Sequence, residues 1–443
     1  MKTILIIGAG RSSSSLIQYL LDHATTENWK VKVGDVDENN AKARVGENPN
    51  GIAFQFDIQN KEQREKEIAS VDLVVSMLPA FMHGAVAKDC VHFGKSLVTC
   101  SYVNEEMQAL DSEAKSKNII LLNEIGLDPG IDHMSAMRII DDVKKKGGEI
   151  TAFYSYCGGL VAPESNDNPW GYKFSWNPRN VILAGQGTAQ FIEGGKYKYL
   201  PYSRVFDEAK SIHVEGWGNF DAYANRDSLS YRTVYGLENI PTMLRGTLRM
   251  PGFCKSWNAF VKLGWTDDTW KIHNADQLSY SELIEAFLKE GNGNIKTRLA
   301  DFLNEKVDSE LMAKLEWLGI FSDEKIKLKD ASPAQILQEL LERKWKLKQG
   351  DKDMIVMQHH FEYQLNKKKH TIISSFVIKG EDEIHTAMAK TVGLPAAIAA
   401  KKILRGEIKR TGVCVPVTRD IYEPVLKELE DFKICFEEKE SEN

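Results

Sequence analysis

The sequence predicts an α/β protein: a parallel sheet wound with helices at the N-terminus, a mixed α/β domain inserted in it, and a helical domain inserted in that. Three observations predict this. Short β-rich runs alternate with helical periodicity between Lys2 and Asn123, the pattern of right-handed crossovers over a parallel sheet. Beyond Asp132 the strands lengthen, become rich in Tyr and Thr, and are separated by Pro, Gly and Asn, which suits a mixed or antiparallel sheet. From about Ser256 to Lys348 almost every segment carries apolar residues at i, i+3 and i+4, the mark of packed helices. A chain of 443 residues also exceeds one ordinary core and suits two or three domains.

In chain order, strands are expected at Thr3–Ile7, Lys30–Val33, Ile52–Phe56, Leu73–Ser76, Leu97–Thr99 and Ile119–Leu122. Between them Ser14–His23, His83–Phe93 and Glu105–Lys117 recur at helical spacing. A helix over about Asp132–Lys146 leads to strands Thr151–Tyr156, Gly218–Ala224 and Met243–Met250. Helices follow at Tyr280–Glu290, Thr297–Glu305, Ser309–Leu318 and Ala334–Trp345, and Ser309 and Ser332 stand where N-caps belong. Met354–Leu365 and His370–Lys379 read as a hairpin joined through the basic turn Asn366–Lys369. The last helices are Glu383–Thr391, Ala396–Arg405 and Tyr422–Phe432. The first two are parted by Gly393-Leu394-Pro395, a stop followed by a proline start.

Composition narrows the function. The chain is 42% hydrophobic and 27% charged, as soluble globular proteins are. A net charge of −6 gives no electrostatic reason to expect nucleic acid or an anionic membrane surface. The apolar run Ile4–Ile7 is one strand long, neither signal peptide nor membrane span. Six scattered cysteines, with no CxxC pair, argue against a zinc site and against a disulfide framework, so no metal is expected. The chain reads as cytoplasmic, with reduced thiols.

Gly8-Ala9-Gly10-Arg11-Ser12-Ser13 directly follows the first strand and opens a helix. Gly8 permits the tight turn, and Gly10 lets backbone approach a pyrophosphate held at the helix N-terminus. Ser13 replaces the third motif glycine. Asp35, just after the second strand, is placed to accept from both hydroxyls of an adenosine ribose and to repel a 2′-phosphate. This is a Rossmann-type unit, and it predicts NAD in preference to NADP. Leu78 and Pro79, ending the fourth strand at the carboxyl edge of the sheet, are placed to contact the nicotinamide half.

A second set of strings is more specific. They are Ser101-Tyr102, Asn123-Glu124-Ile125-Gly126-Leu127-Asp128-Pro129-Gly130-Ile131-Asp132-His133, Ser155-Tyr156-Cys157-Gly158-Gly159-Leu160 and Asn225-Arg226-Asp227-Ser228. With them go Tyr172-Lys173-Phe174-Ser175-Trp176, Leu244-Arg245-Gly246-Thr247-Leu248-Arg249 and Ala387-Met388-Ala389-Lys390-Thr391-Val392-Gly393-Leu394-Pro395. Through these strings, with a match that runs in chain order from about Thr3 to Ile434, the chain resembles the glutamate-forming saccharopine dehydrogenases. Asp35 and the string Lys352–Met357 bring it nearest to the dehydrogenase half of the bifunctional lysine-degrading enzymes. Fungal biosynthetic members, which use NADP, carry another residue in place of Asp35.

The resemblance implies an NAD-dependent oxidation of saccharopine to L-glutamate and α-aminoadipate semialdehyde, reversible, in lysine metabolism. It implies that Arg226, Arg245, Gly246 and Thr247 hold substrate carboxylates, and that Ser101, Tyr102 and Asp128 lie against the substrate. Around the cofactor it places Gly8, Gly10, Arg11, Ser12, Ser13, Asp35, Asp57, Ile125, Leu127, Asp128, Asp132, Phe174, Ser175 and Trp176. It implies a homodimer. The expected domains are 1–127 with 385–443 for the dinucleotide, 128–255 with 351–384 for substrate and dimerisation, and 256–350 as the helical insert.

The chemistry agrees. Saccharopine carries three carboxylates and a primary amine; carboxylates suit guanidinium donors such as Arg226, Arg245 and Arg249, and an ammonium suits Asp128. The secondary amine must lose its proton before hydride leaves, and Tyr102, Asp128, Cys157 or a water are the candidates. Two rival readings are an imine reductase acting on another amino acid or polyamine conjugate, and a non-catalytic NAD sensor. The arginines and the Asp128 loop count against both.

Overall fold

The computed structural model describes residues 1–442. The chain divides into two compact units, one of Met1–Thr151, Thr233–Glu238 and His359–Asn443, the other of Ala152–Arg232 and Asn239–Gln358.

The first unit is built on a seven-stranded parallel sheet. Across the sheet the strands run Gly412–Cys414, Ile120–Leu122, Ser96–Thr99, Leu73–Ser76, Lys2–Ile7, Trp29–Asp35 and Gly51–Gln55. Ile4 to Ile7 and Leu73 to Val75 have no exposed surface, as strands covered on both faces require. On one face Leu5, Ile7, Val74, Leu97 and Leu121 pack with Val86, Cys90 and Val91 of the helix His83–Phe93. The winding reverses beside Lys2–Ile7: the chain goes out to Gly51–Gln55, then returns through Leu73–Ser76 on the other side. Ligands bind such sheets at the carboxyl ends of the two strands flanking that reversal.

Two expectations fail in this unit. The helix Ala387–Leu404 runs unbroken through Pro395, where a stop and restart were expected. Gly393 is needed for proximity: a Cβ there would lie 2.9 Å from the Leu16 backbone nitrogen and 3.3 Å from the Ser12 carbonyl oxygen. Packing against the turn after the glycine loop outweighs the proline's missing N–H. The single helix expected over Glu105–Lys117 is two, Glu105–Gln108 and Asp111–Ser116. The second is tied to the edge strand by Asp111, whose Oδ1 accepts from the Val413 N–H at 2.9 Å. The expected hairpin is present, turning through Asn366 and Lys367 at φ 52° and 66°. Glu437–Glu442 adds a further antiparallel strand beside Lys368–Lys379.

The second unit contains a mixed sheet. Lys210–Val214, Gly218–Ala224 and Thr242–Arg249 are antiparallel neighbours, and Thr242–Arg249 runs parallel to Glu149–Val161. A hairpin, Thr188–Glu193 with Lys196–Pro201, projects from Thr242–Arg249. Its turn is Gly194-Gly195, at φ 57° and 77°, a signal the sequence reading passed over. The helical stretch comprises Phe253–Leu263, Tyr280–Phe287, Ile295–Leu303, Glu310–Leu318 and Pro333–Lys344. Ser309 and Ser332 cap the last two as expected, Ser332 in a reciprocal box with Gln335. Among the described residues no helix is long and apolar enough to cross a membrane.

The Gly393 contact gives a test. Gly393→Val should cost about 1–3 kcal/mol through overpacking against Leu16, read as a lowered urea midpoint with an unchanged slope.

Candidate functional site

In the first unit, the glycine loop closes on its neighbours. Gly8 sits at φ +102°, and a Cβ on it would come within 3.0 Å of the Met77 carbonyl oxygen. Only glycine fits there. Nothing lies within 4 Å of a Cβ built on Gly10, so that stretch of backbone is open. Ser13 is buried, and its hydroxyl donates to the Gly10 carbonyl at 2.8 Å, so the residue replacing the third glycine knits the loop to its helix. Asp35 Oδ2 accepts the Ala9 N–H at 2.7 Å, while Oδ1 accepts from the Asp37 N–H at 3.0 Å and the Asn40 amide at 3.4 Å. Asp57 caps its own turn through the Gln59 N–H at 2.9 Å. Leu78 and Pro79 follow Leu73–Ser76, beside the strand reversal.

The next two strands deliver Ser101, Tyr102 and the Asp128 loop. The Tyr102 hydroxyl donates to Asp128 Oδ1 at 3.3 Å, so two acid–base candidates meet. The loop is a compact knot: the Gly126 N–H donates to the Pro129 carbonyl at 2.9 Å, and the Ile131 and Asp132 N–H groups return to Gly126 and Leu127 at 2.9 and 3.1 Å. Asp132, buried, accepts the Gly130 N–H at 2.6 Å, and Ile125 and Leu127 are buried beside it. At the loop's root, Glu124 is held at φ 55°. Its Oε1 accepts the Val103 N–H at 3.0 Å, and its Oε2 accepts from His133 Nε2 at 2.9 Å. The other nitrogen of His133 lies 2.6 Å from the Tyr235 hydroxyl. The motif strings contain Glu124 and His133 but assign no role to either, and Tyr235 lies outside them.

His83 was also missed. It is buried at the first turn of His83–Phe93, its Nδ1 2.9 Å from the Ser76 hydroxyl and its Nε2 2.8 Å from that of Ser101 and 3.2 Å from that of Thr99. Burial pushes its pKa down from 6.5 to about 4. The neutral ring thus joins the carboxyl ends of two strands through hydroxyls.

In the second unit, Arg226 lies two residues beyond the strand Gly218–Ala224, and Arg245 lies within the neighbouring strand Thr242–Arg249. The Asn225 N–H donates to the Arg245 carbonyl at 2.8 Å, and Thr247 donates to the Asn225 side chain at 2.7 Å. Arg226 is exposed, and among the described residues its side chain has no hydrogen-bond or ion-pair partner. Arg245 is buried, its guanidinium 4.1 Å above the Tyr231 ring. Gly246 is obligatory, since a Cβ would lie 2.8 Å from the Tyr223 carbonyl oxygen and 2.9 Å from the Tyr156 ring. Cys157 pairs in register with Thr247 and is buried. Arg249 takes another part: it is sealed among Tyr172, Tyr223 and Phe253 and donates to the Leu248 carbonyl at 3.1 Å. Phe174 and Ser175 are buried, Phe174 against Tyr172 and Trp345, and the Trp176 indole donates to the Tyr172 hydroxyl at 3.1 Å.

Residues 4–122 match the family described as saccharopine dehydrogenase NADP binding domain, and residues 126–434 the saccharopine dehydrogenase C-terminal domain. The chain is 35% identical to the saccharopine dehydrogenase (NADP(+), L-glutamate-forming) of Pyricularia oryzae, over 97% of both chains. It is 34% identical, over 97% of its own length, to the mitochondrial alpha-aminoadipic semialdehyde synthase of Bos taurus, and spans 46% of that longer protein. It superposes on an apo saccharopine dehydrogenase (L-Glu forming) from Saccharomyces cerevisiae with a TM-score of 0.89, at 31% identity and 100% coverage of both chains. The resemblance and the α/β fold expected from the motifs hold.

The cofactor expectation does not. NAD was expected over NADP, yet the matching nucleotide-binding family and the Pyricularia oryzae relative are both described as NADP proteins. The step that fails is the one from an acid at the position of Asp35 to a preference for NAD. Both Asp35 oxygens are engaged by protein donors, which brace the glycine loop and the turn after the second strand.

The His83 environment predicts a pH dependence. The unfolded chain gains a proton on this imidazole below pH 6.5, whereas the folded protein does so only near about pH 4. The unfolded state therefore binds more protons in that window, and stability falls as pH falls through it. His83→Gln should remove up to roughly 3 kcal/mol of that acid-side loss, measured as a flatter profile of unfolding free energy between those pH values.

Proposed function

The chain belongs to the saccharopine dehydrogenase family, and from that premise we propose that it oxidises the secondary amine of saccharopine. The products are L-glutamate and α-aminoadipate semialdehyde, and the reaction is reversible. The observation that carries this reading is the guanidinium arrangement in the second unit: an exposed, partnerless Arg226 beside Arg245 and the Asn225–Thr247 pair. Such donors suit a substrate with several carboxylates and have no use for a polyamine. A cytosolic homodimer completes the proposal.

A nicotinamide cofactor of the NADP class supplies the hydride acceptor when bound. In this proposal the Gly8–Ser13 loop and the helix behind it hold its pyrophosphate. Leu78, Pro79, the Ile125–Asp132 loop and Phe174–Trp176 border the remainder. Arg226, Arg245 and Thr247 orient the substrate carboxylates, Ser101 and Tyr102 contact its body, and Asp128 takes the primary ammonium. The amine proton passes to the Tyr102–Asp128 pair or to a water beside it, with Cys157 as the remaining candidate. Hydride then leaves the lysine ε-carbon, the resulting imine adds water, and the carbinolamine collapses to the two products. The pair of Tyr102 and Asp128 is the one whose members touch.

Two measurements test the reading. With saccharopine and oxidised NADP, chromatography should find glutamate, and an aromatic aminoaldehyde should trap the cyclised semialdehyde; lysine and 2-oxoglutarate as products would overturn it. Arg226→Met and Arg245→Met should each raise the saccharopine KM by roughly ten- to a hundredfold, the worth of a charged hydrogen bond. NADPH binding, followed by fluorescence, should stay nearly unchanged; its loss in a folded variant would show that the arginine serves the cofactor instead.

A further inference from the structure

We propose that Glu124 is a positioning residue that sets the contact between Tyr102 and Asp128, with His133 as its lock. The inference rests on the reaction proposed above and extends it to a residue with no direct part in the chemistry. Glu124 grips both sides of Tyr102. Its backbone N–H donates to the Ser101 carbonyl at 3.1 Å, and its Oε1 accepts the Val103 N–H at 3.0 Å. The same residue opens the knot whose fourth residue onward is Asp128, the acceptor of the Tyr102 hydroxyl at 3.3 Å. One side chain therefore ties together two segments that extend neighbouring strands, beside the backbone bond from the Ile125 N–H to the Thr99 carbonyl at 3.4 Å.

Three features mark this as a built device. Glu124 is held at φ 55°, a conformation that L side chains other than Asn and Asp rarely adopt, so its backbone is kept there against a cost. Its carboxylate is buried, and the other oxygen is engaged by His133 Nε2 at 2.9 Å, with Tyr235 2.6 Å from the far nitrogen. The carboxylate cannot swing away from Val103 without breaking that chain. Asp132 does the corresponding work at the other end of the loop, accepting the Gly130 N–H at 2.6 Å.

The test uses Glu124→Gln, which keeps an acceptor for Val103, and Glu124→Ala, which does not. Glu124→Ala should lower kcat roughly ten- to a hundredfold while leaving NADPH affinity within about twofold, and Glu124→Gln should recover most of the loss. In a double-mutant cycle with Tyr102→Phe the two effects should fail to add, because Glu124 acts through Tyr102. Hydrogen exchange gives a readout independent of substrate: amides of Ser101–Val103 should exchange faster in Glu124→Ala, with the parallel sheet unchanged. Should Glu124→Ala not fold, Glu124→Asp, whose shorter side chain withdraws the acceptor from the Val103 N–H, enters the same cycle and exchange experiment. Additive effects, or unchanged exchange at Ser101–Val103, would overturn the inference. If the unaltered chain does not turn over saccharopine, the proposed reaction is wrong, and the exchange experiment alone decides the role of Glu124.

Discussion

The close approach of Gly8 to the Met77 carbonyl governs the nucleotide-binding edge of the first unit. With 3.0 Å between that oxygen and any added Cβ, the first strand and the fourth can converge only if the turn carries no side chain. This convergence brings the glycine loop, Leu78 and Pro79 to one crevice, where the strand order reverses. Gly393 repeats the device behind the loop, letting the long C-terminal helix touch the backbone of Leu16 and Ser12. Missing side chains thus set the spacing of the scaffold, and polar side chains are then fitted to it.

Those polar side chains are mostly buried, which makes their pairing strict. A buried carboxylate or imidazole left without a partner forfeits its full desolvation cost, a few kcal/mol. Glu124, Asp132, His133 and His83 each meet this demand with hydrogen bonds to the strand ends and loop that carry Ser101, Tyr102 and Asp128. Partnering that stabilises the fold and geometry that serves the site are here the same bonds. This is why the acid and histidine at the root of the Asp128 loop matter although neither is at its tip.

Much of this was legible in the sequence, and what was not has physical causes. Period and turn chemistry located the parallel strands, and long motif strings located Ser101-Tyr102, Asp128, Arg226 and Arg245. The break expected at Gly393-Leu394-Pro395 failed because local propensity says nothing of the neighbour that Gly393 accommodates. Glu124 and His83 were passed over because a lone acid or histidine has no spacing signature; their partners come from other elements of the fold. Gly194-Gly195 was readable and overlooked, since paired glycines between alternating segments are a hairpin signal in their own right.

Asp35 and Arg249 teach the same lesson from opposite sides. Each is a charged residue at a position where ligand chemistry seemed to ask for its charge. Asp35 has both oxygens engaged by neighbouring backbone and side-chain donors, so its presence does not by itself read the ribose. Arg249 shares its strand and its face with Arg245 and Thr247, since residues two apart point the same way. Yet its guanidinium is enclosed by Tyr172, Tyr223 and Phe253 and donates to the Leu248 carbonyl. Arg226, by contrast, projects from the end of the neighbouring strand and is exposed. Charge type alone could not separate these fates. What separates the two arginines is access: aromatic rings enclose the Arg249 guanidinium, whereas Arg226 is exposed, and a ligand can claim only the groups that the fold leaves within its reach.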